Sequence, residues 1–407
     1  MKTDISKQNR FLEQSLIDLI NLVLKNKNIP ADKIFQNFCK KYKIGSKNRN
    51  DLSETFFDFL RNFWKCVHIA TNEANLRTDQ SCDLDVLFTQ STSLPRKLLA
   101  AFYQLCQCNT RSFPMWAQAN MHQDIWMLFK ELFPNEQAAI DASTRVSTTV
   151  DIRVNTFTGI TKSSVIQKLC AHGMMVDELP FDGLRLYKRY ALQNLQLYKS
   201  GAFEIQDFTS QLVSYLCGAK SGMHILDYCA GCGGKAIAML NNSCGKAFIT
   251  LTDIDVSRLE IARKRISRLN NIVSDVRFED INNISSKFDI VVVDAPCTGF
   301  GTIQRNPGKT VHLRALDVCR YAKTQSDILQ KASHYVKSGG RLVYITCSPL
   351  ALENEDVVEP FIQRNSNFKF VNPNEFLCQI PNVLVCQTAL ECGLRISNSF
   401  FFSAITL

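Results

Sequence analysis

Two apolar, strand-like runs in this sequence end in cysteine. Residues 290–293 lead into Asp294-Ala295-Pro296-Cys297-Thr298-Gly299, and residues 342–345 lead into Thr346-Cys347-Ser348-Pro349. An earlier apolar run opens into Asp227-Tyr228-Cys229-Ala230-Gly231-Cys232-Gly233-Gly234-Lys235. Three glycines in four positions give a tight turn and let a ligand approach bare backbone. Asp253 ends the next apolar run, and Asp280 follows the one after it at residues 276–278. An acid after the second strand can accept hydrogen bonds from a ribose diol, and an acid after the third can meet an adenine edge. Loop and acids together point to a nucleoside ligand.

Other readings of the same loop compete. A phosphate-binding Walker loop needs glycine at 229 and serine or threonine at 236, where Cys229 and Ala236 stand. A nicotinamide site is compatible with Gly231, Gly233 and Ala236, but it would leave the two strand-end cysteines idle. Cys229 and Cys232 could form a redox dithiol, which would leave the glycines and distal acids without a role. No second cysteine pair has zinc-ligand spacing, so no metal is expected.

Two thiols at strand ends facing an adenosyl ligand suit one chemistry well. Carbon 5 of cytosine is a poor nucleophile. A thiolate adding to carbon 6 turns the ring into an enamine, and carbon 5 can then attack the methyl of a sulfonium. An acid must meet ring nitrogen 3; Asp294, with its pKa raised by burial, is the expected group. A base then takes the carbon 5 proton and the thiol is expelled. A free thiol is only a few per cent ionised at neutral pH, so nearby positive charge such as Lys235 must assist. Methylation of an exocyclic amine needs no thiol and usually carries Asn/Asp-Pro-Pro-aromatic in place of Asp294-Ala295-Pro296-Cys297.

The elements that must position these residues can be read from periodicity. Leu12, Leu16, Leu19 and Val23 form a helical stripe, as do Phe56, Leu60, Phe63 and Val67, and Ile125, Phe129 and Leu132 continue it. Residues 1–140 are therefore expected to be all-helical, with a loop at 72–83. A boundary falls near 143–150, where Ser, Thr and Val dominate. Residues 145–200 read as a small α+β unit with a strand at 151–155 and a helix at 163–171. From 201 onward, strands at 225–226, 248–251, 290–293 and 342–345 alternate with helices at 257–269 and 322–336. That alternation means a parallel sheet covered on both faces, a Rossmann-like α/β domain over 201–407.

The motifs from residue 151 onward resemble the RsmB/Sun group of RNA cytosine-5 methyltransferases. The likeness lies at Arg153-Val154-Asn155, at Gln206-Asp207, at Cys229 to Lys235, and at Asp253-Ile254-Asp255. It continues at Asp294 to Gly299, Arg305-Asn306-Pro307 and Thr346-Cys347-Ser348. The resemblance implies a class I methyltransferase fold, S-adenosylmethionine as cofactor, Cys347 as nucleophile and Cys297 as the group that assists release. It also implies cofactor contacts from Cys229, Ala230, Gly231, Cys232, Gly233, Gly234, Lys235, Asp253, Asp280 and Asp294. Arg153 and Arg305 are the candidate RNA contacts. Ile44-Gly45-Ser46-Lys47-Asn48-Arg49 and the aromatic helix after it are similar to the group's NusB-like RNA-binding domain. The chain departs from the group's pattern at Cys232, usually proline. It departs again at Gly308-Lys309-Thr310-Val311, where Asp and Trp are usual, and at Glu353-Asn354-Glu355.

Composition fits this reading. The formal charge of +9 and pI of about 8.8 suit a polyanionic partner, and ribosomal RNA is the expected substrate, with transfer RNA the nearest alternative. A catalytically weakened RNA-binding assembly factor and a small-molecule methyltransferase are the rivals from other classes. The intact Asp294, Cys297 and Cys347 disfavour the first, and the extra helical domain and basic charge the second. Sixteen scattered cysteines suggest reduced thiols. Residues 1–10 are polar and charged, and no stretch approaches the ~20 apolar residues of a membrane span. A soluble, cytoplasmic, monomeric protein is expected.

Overall fold

The computed structural model describes residues 2–73, 91–107, 111–146, 149–269, 275–372, 375, 387–390, 393–396 and 400–407. It divides into two compact units: Met1–Val146 with Thr302–Asp317, and Ser147–Gly301 with Val318–Leu407. Among the described residues no helix is long and apolar enough to cross a membrane.

The first unit is helical. Its long elements are Lys2–Lys25, Ala31–Lys41, Ser46–Arg61, Phe63–Glu73 and Leu94–Gln107. The stripes read from the sequence pack its core, with Leu16, Leu19, Phe56, Leu60, Phe63 and Val67 all buried. The second stripe crosses a break, because Phe56 and Leu60 sit on one helix and Phe63 and Val67 on the next. Asn72 lies in that helix rather than in a loop; residues 74–83 lie outside the described residues.

Unexpectedly, residues 302–317 also belong to this unit rather than to the α/β domain. The packing explains why. Val311 is fully buried in the helical core. Trp64 Nε1 donates to the Thr310 carbonyl at 2.9 Å. A Cβ at Gly308 would fall 2.5 Å from that of Ala31 and 3.5 Å from Leu60 Cδ1. Gly308 thus stands where two chain segments touch too closely for a side chain.

The second unit holds two sheets. The smaller is antiparallel, order β2-β3-β1-β4, built from β1 (Val150–Val154), β2 (Val176–Glu178), β3 (Gly183–Leu186) and β4 (Phe203–Ile205). It therefore runs past residue 200, because Phe203 and Glu204 pair with Val154 and Arg153. The larger sheet contains β5 (His224–Asp227), β6 (Phe248–Leu251), β7 (Val276–Phe278), β8 (Phe288–Asp294), β9 (Val336–Thr346), β10 (Lys369–Phe370), β11 (Gln387–Leu390), β12 (Gly393–Ile396) and β13 (Phe400–Thr406). Its order is β11-β12-β13-β9-β8-β5-β6-β7, with β10 on β13. Strands β9-β8-β5-β6-β7 run parallel, and β13 is antiparallel to β9. This is the Rossmann-like class I methyltransferase fold. The central stretches of β5, β8 and β9, Ile225–Leu226, Ile290–Val293 and Leu342–Ile345, are apolar and buried, as a sheet covered on both faces requires.

Candidate active site

The chain winds outward from β5 through β6 to β7, then crosses back to β8 and β9. The order reverses between β5 and β8, and ligands bind at the carboxyl ends of the strands beside such a switch point. Asp227 pairs across it with Val292, and Asp294 pairs with Ile345. The ends of five neighbouring strands thus bring Asp280, Asp253, Asp227, Asp294 and Cys347 to one edge of the sheet.

At that edge Lys235 Nζ donates to Asp294 Oδ2 at 2.6 Å. The lysine is buried in the first turn of the helix Gly234–Asn242. Burial pulls its ammonium pKa down, but Asp294, Cys347 and Asp227 outweigh that and leave it above the ordinary value. The two acids at the switch point differ in burial. Asp294 keeps a side-chain exposure of 34%, whereas Asp227 is fully buried. Burial first, then the neighbouring Asp294 charge, pushes Asp227 up to about 7. Asp294 stands at the rim with its carboxylate already engaged by Lys235.

Beyond Asp294, the Sγ atoms of Cys297 and Cys347 lie 3.2 Å apart, with no disulfide between them. At that distance one thiol can donate a proton to the other sulfur. Both are half-buried. The backbone around each is tied down. Gly301 N–H donates to the Cys347 carbonyl at 2.9 Å. Thr346 Oγ1 donates to Asn354 Oδ1 at 2.6 Å, and Asn354 Nδ2 donates to the Ser348 carbonyl at 2.9 Å. Glu353 accepts from Thr298 N–H at 2.8 Å and from Thr298 Oγ1 at 2.6 Å. Glu353, Asn354, Thr346 and Ser348 are all fully buried.

The glycine loop suits an adenosyl ligand. Gly231 and Gly233 have φ of +52° and +76°, which disfavours a side chain at either. A Cβ at Gly231 would lie 2.3 Å from Arg258 Nη2. Asp253 accepts from Gly231 N–H at 2.7 Å and from Asp255 N–H at 2.9 Å, and Arg258 stands 3.7 Å away. Bare backbone and a carboxylate therefore meet where a ribose would lie. Asp280 is exposed and caps the short turn Ile281–Asn283 through Oδ1. Ala230 is buried, while Cys229 and Cys232 are half-buried. Burial drives the Cys229 thiol far up, so it is a poor redox thiolate. The carbonyl of Cys232 accepts from Arg265 Nη1 at 2.8 Å.

The residues matched in sequence are similar to a described family. Residues 215–389 match the family model described as 16S rRNA methyltransferase RsmB/F. The match spans the motifs at Cys229 to Lys235, Asp253, Asp294 to Gly299 and Thr346-Cys347-Ser348. A Bacillus subtilis relative, named probable ribosomal RNA small subunit methyltransferase B, is 30% identical over 215 residues, 51% of this chain and 48% of that one. A Serratia proteamaculans relative, named ribosomal RNA small subunit methyltransferase B, is 32% identical over 195 residues, 47% of this chain and 45% of its own. The chain thus spans about half the length of these curated relatives. The solved structure titled PH0851 covers 97% of this chain and 98% of its own, with TM-score 0.73 and 20% identity. The structure of NSun6 from Pyrococcus horikoshii with SFG covers 70% of this chain and 98% of its own, at TM-score 0.59 and 18% identity. Both share the fold.

The two candidate RNA contacts are both at least half-buried. Arg153 is 3% exposed. Its Nε donates to Gln206 Oε1 at 2.9 Å and its Nη1 to Asn155 Oδ1 at 2.8 Å, and burial lowers its pKa to about 10. Its Nε and Nη1 link the ends of β1 and β4 through Asn155 and Gln206, and its burial leaves little surface to RNA. Arg305 is half-buried in the segment that packs with the helical unit. Sequence reading gave no role to Ile254, which stands fully exposed beside Asp253. An apolar residue bare at a sheet edge is a surface an adenine ring can cover, and its place within Asp253-Ile254-Asp255 was the available signal.

Proposed function

We propose that this chain forms 5-methylcytosine in RNA, with small-subunit ribosomal RNA as substrate and S-adenosylmethionine as methyl donor. One observation carries the reading: two thiols 3.2 Å apart at the strand ends beside a Lys235–Asp294 pair. Pyrimidine carbon methylation needs one sulfur to add and a second group to help it leave. The curated relatives, named for small-subunit ribosomal RNA, favour that substrate.

The residues divide the work as follows. The backbone of residues 230–234, the Asp253 carboxylate and the bare face of Ile254 hold the adenosyl group, with Asp280 toward the base edge. When bound, the cofactor supplies an electrophilic methyl group. Cys347 adds to carbon 6 of the cytosine, breaking the 5,6 double bond and pushing electrons toward nitrogen 3. Asp294, held by Lys235, meets that nitrogen. The raised ammonium of Lys235 also lies close enough to favour a thiolate at Cys347. After carbon 5 is methylated its proton is removed, the double bond re-forms, and the carbon–sulfur bond breaks. Cys297 protonates or relays to the departing Cys347 sulfur. The family motif at Thr346-Cys347-Ser348 sets this order of roles; the 3.2 Å separation is symmetric.

Incubation of the protein with S-adenosylmethionine and unmodified small-subunit ribosomal RNA tests the reading. Nucleoside analysis should find 5-methylcytidine, and bisulfite sequencing should place it at one position. Methyl transfer to an exocyclic amine, or none to RNA, would overturn it.

A further inference from the structure

Cys297 is bracketed on both sides by one buried carboxyl–amide pair. On its C-terminal side, Thr298 N–H and Oγ1 donate to Glu353 at 2.8 and 2.6 Å. On its N-terminal side, the Pro296 carbonyl accepts from Gln325 Nε2 at 2.9 Å. The same Gln325 Nε2 donates to Glu353 Oε1 at 3.1 Å, which closes the bracket. Gln325 comes from the helix Ala315–Ser333, and both side chains are fully buried. The bracket is also tied to the strand that presents the other thiol. Tyr344, three positions before Cys347 on β9, donates its hydroxyl to the Glu353 carbonyl at 2.7 Å. Thr298 Oγ1 lies 3.5 Å from Ser348 Oγ, directly after Cys347.

We propose that Glu353 and Gln325 are positioning residues for Cys297, setting its sulfur within proton-transfer distance of Cys347 and thereby governing release of the methylated base. The proposal rests on the cytosine-5 reading above. Neither residue faces the reacting ring. Their effect passes through the peptide groups on either side of Cys297, while Cys347 retains its own anchors at Asn354 and Gly301. The bonds to the peptide groups flanking Cys297 and those to the strand end carrying Cys347 thus come from different side chains, although Tyr344 and Ser348 link the two sets. Loosening the bracket should spare attack by Cys347 and slow the step that needs Cys297. In that step Cys297, as its thiolate, takes the carbon 5 proton, the 5,6 double bond re-forms, the carbon–sulfur bond breaks with its electron pair on the Cys347 sulfur, and Cys297 passes the proton on to that sulfur, so atoms and charge balance within the site.

The test uses the full chain with S-adenosylmethionine and small-subunit ribosomal RNA, comparing wild type with Gln325→Met, Glu353→Ala and Glu353→Gln. Methyl transfer in a single turnover and the fraction of protein in a denaturant-resistant RNA adduct are both measured, each normalised to folded protein by circular dichroism. A misplacement of about 1 Å can cost on the order of 100-fold in a positioned step. Gln325→Met and Glu353→Ala should accordingly lower steady-state turnover by roughly 10- to 100-fold and accumulate adduct, with the single-turnover methyl transfer nearly unchanged. Glu353→Gln can still accept from Thr298 N–H and donate to Thr298 Oγ1, so it should restore most of the turnover. Turnover lost in step with single-turnover transfer, without adduct, would overturn the proposal, as would wild-type behaviour of both disruptive variants. If Glu353→Ala does not fold, Gln325→Met decides. Cys297→Ala is the control: if it too gives no adduct, the cytosine-5 reading fails rather than the positioning role.

Discussion

The helical unit and the catalytic edge of the α/β unit are stabilised in different ways. In the first, Phe35 and Phe56 stack at 5.7 Å, and Phe59 meets Phe63 and Phe102 edge-on at 5.9 and 5.8 Å. Contacts of this kind rest on apolar burial and ring packing. At the catalytic edge, Thr346, Ser348, Glu353 and Asn354 are as deeply buried as those rings, yet nearly every contact is a directed hydrogen bond. Fold stability concentrates in the first region and geometric accuracy in the second. A change in one should be read chiefly in melting temperature, and in the other chiefly in rate.

The largest stability effect should come from the helical core. Phe56→Ala removes a fully buried ring and should cost roughly 3–5 kcal/mol. Denaturant titration should record that loss, while S-adenosylmethionine affinity of the remaining folded protein stays near wild type. A comparable loss of cofactor affinity would erase the distinction between the two regions.

Asp227 should have the next largest effect, and it depends on pH. Its carboxyl titrates near 7 in the folded chain against an ordinary value of 3.8. A raised carboxyl pKa means that the folded state holds the proton more tightly. Its contribution is therefore most favourable below the ordinary value, and stability is lost as pH rises from about 4 to 7. Asp227→Asn removes that penalty, so its stability relative to wild type should grow by roughly 2–3 kcal/mol between pH 5 and pH 8. Thermal melts of both proteins across that range would check it; a constant difference would mean that Asp227 is not held protonated by burial.

Asn354→Ala should sharpen the contrast from the other side. It breaks the bonds to Thr346 Oγ1 and the Ser348 carbonyl, at roughly 1–3 kcal/mol. Methyl transfer should fall far more than that stability loss implies, because these bonds hold the strand end that carries Cys347. A rate that merely follows the folded fraction would show that the network is only structural.

How much of this could be read in the sequence follows from the same division. Strands β6 and β7 were legible to the residue, since short apolar runs bounded by turn residues leave few alternatives. The helical stripes at Leu16, Leu19, Phe56 and Leu60 were legible because burial repeats with the helical period. Cys297, Cys347, Asp253 and Asp294 could be placed at one edge because parallel strands deliver their ends together. The bracket of Glu353 and Gln325 could not, since Glu353 meets Thr298 across 55 positions of sequence and no local pattern records that. The membership of residues 302–317 in the helical unit was hidden for the same reason: Trp64 and Thr310 meet across 246 positions. Burial of a particular acid was also misjudged, because the strand position of Asp227 and the rim position of Asp294 differ only in the folded sheet.

The central claim is that the two thiols do opposite things to one base, and covalent trapping tests it most directly. The wild type, Cys347→Ala and Cys297→Ala would each be incubated with S-adenosylmethionine and small-subunit ribosomal RNA, then resolved by denaturing electrophoresis. Cys297→Ala should yield a slow protein–RNA band with little turnover, and Cys347→Ala neither band nor methylation. A band from Cys347→Ala alone would reverse the roles, and full activity from both variants with no band would contradict the covalent mechanism.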